Sequence, residues 1–138
     1  MAIPDVDSNS VVRMRSAHDV ARTVERLLAL LAAHGLRVFA DIDFARDAAA
    51  SGLTLRPERL VVFGSPKSGT PLLAAAPTVG LDLPLKALVW QDEAGITFLS
   101  YNDPAYVLDR HGFDNAVRPA IEAMSAALKE MAEKSIKI

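Results

Sequence analysis

Residues 61–86, VVFGSPKSGTPLLAAAPTVGLDLPLK, decide how this chain is read. A β-branched apolar run enters a Gly/Pro/Ser loop. A short alanine-rich segment follows, and the chain returns through Gly-Leu-Asp-Leu-Pro-Leu-Lys. Five of the eight prolines and three of the seven glycines lie between Pro57 and Pro84. Proline fixes φ and glycine permits positive φ, so this is a connection of specified shape rather than slack linker. It is where a site is expected.

Working outward, residues 60–63 read as a strand covered on both faces. Residues 70–76 read as a short helix with Pro71 at its start, a position that suits proline. Residues 85–90 and 96–101 flank Gln-Asp-Glu-Ala-Gly, the pattern of a hairpin. Within it, Ala87, Val89, Ile96 and Phe98 are expected to face the helices, leaving Leu88, Trp90, Leu99 and Tyr101 on the other side. An apolar outer face of that kind marks an interface or a ligand groove, so homodimerisation through it or a cavity shared across it is expected, the alternative being cover by a loop or short helix of the same chain.

Upstream, residues 11–15 read as a short strand, and Ser16 with Asp19 resembles a capping box. Val20, Val24, Leu27, Leu28 and Leu31 then keep helical spacing until Gly35. Residues 36–42 alternate, with Leu36, Val38, Ala40 and Ile42 on one face and Arg37, Phe39 and Asp41 on the other. Asp43 is placed to cap an alanine-rich helix ending near Gly52. Residues 104–110 read as another short helix. Val117, Ile121, Met124, Leu128 and Met131 stripe a closing one. Residues 1–9 read as a disordered or extended tail, and 10–138 as a single domain.

Composition narrows the function classes. A chain of 138 residues buries roughly 68% of its unfolded surface as one domain. Its 51% hydrophobic content and mean hydropathy of +0.20 are high for that size. No apolar run approaches the roughly 18 residues that span a bilayer, and the N-terminus shows no basic and apolar leader pattern. The absence of cysteine excludes disulfides and thiolate chemistry and suits a reducing cytosol. A net charge of −2 and a pI near 5.9 give no electrostatic drive toward nucleic acid or an anionic membrane. A cytoplasmic location, no cofactor and no metal site are expected.

The chemistry-bearing motifs are weak. Gly64-Ser-Pro-Lys67-Ser-Gly69-Thr70 follows a strand and precedes a helix, but a phosphate loop needs lysine directly after its second glycine. Pro66 and Pro71 also remove amide donors. The expected reading is a rigid structural loop, with binding of an anionic group by Lys67, Ser65, Ser68 and nearby amides as the alternative. Asp41-Ile-Asp43 looks superficially like an aspartyl phosphotransferase pair, yet Phe44 and Ala45 do not fit that motif. His18 and His34 lie near the two ends of the first helix and read as solvated. His111 follows Asp109 and is a candidate general acid or base, although residues two apart on a helix diverge. Lys86, in an apolar strand, is expected either to pair with Asp82 or Asp43 or to bind an anion in a cleft.

Taken together, Ile42-Asp43 before an alanine-rich helix, the Phe63-Gly-Ser-Pro66 turn, Pro77, Gly80-Leu-Asp-Leu-Pro-Leu-Lys86 and Ser100-Tyr101-Asn-Asp-Pro104 resemble the family of domain of unknown function 302. The resemblance covers roughly residues 12–132. It implies an α+β fold, with a mostly antiparallel sheet and two long helices on one face in a TATA-binding-protein-like arrangement, and a dimer. It implies no activity. Gly-Ser-Pro stands where the family commonly has Gly-Asn-Pro, and Phe44 where a histidine is often seen, so that histidine's role does not carry over.

The function expected from these readings is a homodimeric small-molecule binding or accessory domain. Its ligand would be a small anionic or amphipathic compound, in a pocket lined by Phe63, Gly64, Lys67, Asp82, Lys86 and Tyr101 with Asp43 at the rim. Two alternatives stand beside it. One is an enzyme acting on a small anionic or carbonyl compound, with Lys86 or His111 moving the proton. The other is a purely structural homodimeric module.

Overall fold

Helical spacing of apolar residues produces the first long element, α1 (Val20–Ala33), in the computed structural model, which describes residues 5–7 and 10–138. Asp19, rather than Ser16, is its N-cap and accepts from the Arg22 amide. Ser16 instead accepts from the His18 amide and shares a 2.7 Å hydrogen bond with Thr23, so the expected capping box is replaced by a single aspartate cap. Gly35, at φ +69°, ends the helix as its position predicts.

Among the described residues the strands are β1 (Asp5–Val6), β2 (Val11–Arg15), β3 (Arg37–Asp43), β4 (Glu58–Gly64), β5 (Leu85–Gln91) and β6 (Thr97–Asn102). They form one antiparallel sheet in the order β1-β2-β6-β5-β4-β3. Of the segment read as a tail, Asp5 and Val6 are extended and pair with Arg13 and Val12. Residues 1–4, 8 and 9 lie outside the described residues.

The remaining helices are α2 (Phe44–Ala50), α3 (Pro66–Ala75), α4 (Pro104–Asp109) and α5 (Arg118–Ile136), with a 3-10 turn at Pro77–Leu81 that sequence spacing did not show. Helices α1 and α5 lie together on one face of the sheet. Val24, Leu27 and Leu31 of α1 and Leu128, Met131 and Ala132 of α5 pack with Val61, Phe63, Val89 and Leu99 in the main core. Arg26 fastens the end of α5 by donating to the carbonyls of Lys134 and Ser135, where a cation also suits the helix dipole. A second, smaller core of Leu72, Val79, Leu108 and Ile121 joins α3, the 3-10 turn and α4 to α5. This is the α+β architecture the sequence implied.

Two strand phases depart from expectation. In β6, Leu99 opposes Val89 and Phe98 opposes Trp90, so Leu99 and Tyr101 point into the core and Phe98 points away. A one-residue slip reverses every side chain on a strand. Here the slip is set by the turn, where Asp92 accepts from the amides of Ala94 and Ile96 and Gly95 sits at φ +83°. In β3, a register shift between Val38 and Ala40 breaks the simple alternation. Val38 opposes Phe63, while Ala40 and Ile42 oppose Val62 and Leu60.

The face away from the helices remains apolar. Leu60, Val62, Leu88, Trp90 and Phe98 are each half-buried there, so β4 is not covered on both faces as its composition suggested. Trp90 stacks on Phe98 with ring centroids 5.0 Å apart and donates to Ser100 Oγ at 2.9 Å. Arg13 lies over the Phe98 ring.

Candidate functional site

At the end of β4 the chain turns through Gly64 and the extended Ser65 directly into α3. The helix begins at Pro66, four residues before the expected start, because Pro66 occupies its first turn and the Ser65 carbonyl accepts from the amides of Ser68 and Gly69. Pro71 is therefore interior and cannot donate to the Lys67 carbonyl. Nothing in the hydrophobic spacing marks this earlier start. The Ser-Pro pair was the signal that could have.

Opposite α3, helix α5 presents Ala120, Ala123 and Ala127, three small side chains at a spacing of three and four that share a face. Small residues hold that face back from α3 and the sheet end. The space left is a cavity of about 730 Å³. Phe39 and Phe63 from the sheet, Leu73 and Leu83 from the connection and Met124 from α5 give it mainly apolar walls. Its polar groups come from the arc of residues 65–70, and Lys67 is the one charged residue on the lining among the described residues.

Three of the sequence-predicted residues, Phe63, Gly64 and Lys67, come together on this cavity. Four do not. Asp43 is the N-cap of α2, its carboxylate accepting from the Arg46 amide at 2.9 Å. Tyr101 is buried in the main core, a consequence of the β6 phase. Burial, followed by the nearby Asp103 and Glu133 carboxylates, pushes its phenol up to about 12. Lys86 is exposed on β5, and no ion pair to it is found among the described residues. A small crevice of about 20 Å³ touches both Lys86 and Asp82.

Asp82 pairs elsewhere, with a group that linear spacing did not suggest. His111 Nε2 lies 2.5 Å from Asp82 Oδ2, and His111 Nδ1 lies 2.9 Å from Thr78 Oγ1. Arg110 donates to both Asp82 carboxylate oxygens at 3.1 Å. Asp109, the neighbour expected for His111, pairs with Arg118 instead. Burial alone would raise the Asp82 carboxyl, but hydrogen bonds from His111 and Arg110 outweigh it and hold it below its ordinary value. The side chains are only 6% exposed for His111 and 14% for Asp82, and neither residue is among those lining the cavity of about 730 Å³. This is the chemistry of a polar clasp between the 3-10 turn and the end of α4. No cluster of three or more metal-ligating side chains occurs among the described residues.

Comparison with known proteins adds the family. A solved structure titled an uncharacterized conserved protein DUF302 from Bacillus stearothermophilus superposes with a TM-score of 0.81 at 20% identity, covering 91% of this chain and 97% of that one. That likeness shows the fold. The proteins named fluoride-specific ion channel FluC 1 of Brucella suis and of Brucella abortus are each 41% identical over 119 residues, which is 86% of this chain. The chain spans less than half of their length, 46% and 44%. Among the described residues, no helix is long and apolar enough to cross a membrane. The model of the domain of unknown function DUF302 matches residues 12–131, and the chain belongs to that family.

Proposed function

We propose that this chain is a homodimeric small-molecule-binding domain whose ligand occupies the space between α3, α5 and the end of the sheet. The observation that carries this reading is the cavity of about 730 Å³, within the roughly 300–1,000 Å³ of sites that take small organic ligands. Apolar walls with a few polar groups gathered on one side are the usual composition of such sites. The enzyme alternative has less support, since Lys86 is exposed and His111 is locked between Asp82 and Thr78 away from the large cavity. Native mass spectrometry of the purified protein tests the reading alongside Ala123→Trp, which fills the cavity from an exposed wall position. A retained adduct, or uptake of the neutral dye Nile red, that the variant loses supports it. Absence of both from the wild-type protein overturns it.

The dimer rests on the open sheet face. Its row Glu58–Trp90–Phe98–Arg15 runs across β4, β5, β6 and β2. A two-fold axis parallel to the strands between β5 and β6 sets Glu58 of one copy against Arg15 of the other, and Trp90 against Phe98. The face is thus complementary to itself in charge as well as in its apolar character.

The 41% identity to the Brucella proteins supports a second reading, that the domain binds its ligand as an accessory part of a fluoride channel system. Deleting the matching segment from one of those proteins and measuring fluoride efflux tests it. Unchanged efflux and unchanged response to ligand would remove this reading.

A further inference from the structure

The cavity's polar groups are all on one side. Among the described residues the lining carries one cation, Lys67, and no carboxylate. Lys67 makes no ion pair with any described residue, and neither it nor the hydroxyls of Ser65, Ser68 and Thr70 are engaged in hydrogen bonds there. On the far side, Ala120, Ala123 and Ala127 of α5 form an exposed strip of methyl groups flanked by Met124. One end of the site therefore offers a positive charge with three free hydroxyls, and the rest offers only apolar surface.

From this asymmetry we infer that the ligand is an amphipathic monoanion: an apolar body laid against the α5 alanines, with a single carboxylate-type head at Lys67 and the Ser65–Thr70 arc. This deepens the binding reading above and rests on it. A single lysine balances one negative charge, so a nucleotide or other polyanion would leave charge uncompensated against apolar walls. A cationic ligand would meet Lys67 with no carboxylate to receive it. A neutral apolar molecule would fill the cavity but leave the cation and hydroxyls without a partner in the bound state. Lys67 is exposed, so its contribution is that of a rim charge: it selects the head group, while apolar burial supplies most of the affinity.

Three probes of equal length and different charge separate these possibilities: octanoate, octan-1-ol and octylammonium, titrated by calorimetry into the wild type, Lys67→Met and Ala123→Trp. Octanoate is expected to bind the wild type about fivefold more tightly than octan-1-ol, and octylammonium more weakly than either. Lys67→Met should remove the preference for octanoate and leave octan-1-ol binding unchanged, and Ala123→Trp should abolish all three. Lys67 is a surface residue, so its replacement is not expected to disturb folding. Equal binding of octanoate and octan-1-ol by the wild type, or a preference that survives in Lys67→Met, overturns the head-group assignment and leaves the binding reading standing. Failure of every probe to bind the wild type overturns both.

Discussion

His111 Nε2 and Asp82 Oδ2 meet at 2.5 Å across 29 residues of sequence, tying the end of α4 to the 3-10 turn that borders the cavity. Arg110 donates to the same carboxylate, so Asp82 is held by two neighbours and favours its charged form in the folded state.

A depressed folded-state pKa gives stability that is present above the ordinary carboxylate value of 3.8. That stability is lost as pH falls through the lowered value. Asp82→Asn removes the charge in both states. It should cost about 1–2 kcal/mol near pH 7 and reduce the acid dependence of stability. Urea denaturation across the acid range checks this. Parallel stability-against-pH curves for the two proteins would show that the clasp does not hold the carboxylate.

Tyr101 behaves oppositely at the alkaline end. Its phenol is raised from 10.0 to about 12, first by burial and then by Asp103 and Glu133. The unfolded chain ionises this tyrosine first, so its contribution to stability is complete below pH 10 and is lost as pH climbs toward about 12. Tyr101→Phe should flatten the alkaline loss measured by denaturation. Ultraviolet absorbance of a Tyr106→Phe variant, which leaves Tyr101 as the sole tyrosine, should show ionisation near 12. Titration near 10 in the folded protein would contradict the buried placement.

The phase of β6 is open to a direct comparison. Leu99 is fully buried, whereas Phe98 lies half-buried on the open face. Leu99→Ala should cost about 2–5 kcal/mol through lost burial and the cavity left behind. Phe98→Ser should cost about 1 kcal/mol in the monomer. Thermal denaturation ranks them. The reverse order would restore the phase that alternation alone suggests.

That contrast marks how far sequence reasoning reaches. The apolar period of residues 20–31, the Gly35 stop, the Asp43 cap and the hairpin around Gly95 were readable because each is a local preference. The β6 phase was not, because it depends on how Asp92 bonds inside the turn, and both phases present apolar residues to both faces. The site divided along the same line. Phe63, Gly64 and Lys67 line the cavity because the shaped connection carries them there. The α5 alanines were missed because small side chains read as helix filler until α3 is seen opposite them. The His111–Asp82 pair was missed because neither residue has a local motif. Tyr101 and Lys86 do not line the cavity, because the phase of β6 turns Tyr101 into the core and Lys86 lies exposed on β5.

The open sheet face yields the last test, of assembly. Arg15 and Glu58 occupy opposite ends of one cross-strand row with Trp90 and Phe98 between them, and neither charge has an ion-pair partner among the described residues. In the proposed dimer each pairs with the other copy's opposite charge, so reversing one places like charges together twice across the two-fold axis. Sedimentation velocity should report a dimer for the wild type, monomer for Arg15→Glu, and recovery of the dimer when Glu58→Arg is added. Trp90→Glu, which puts a carboxylate into the apolar centre, should give a monomer that the second change does not rescue. All four residues lie on the face away from the core, so each variant should remain folded by circular dichroism. A wild-type monomer would remove the proposal outright, and a dimer indifferent to the charge reversal would move the interface to another surface.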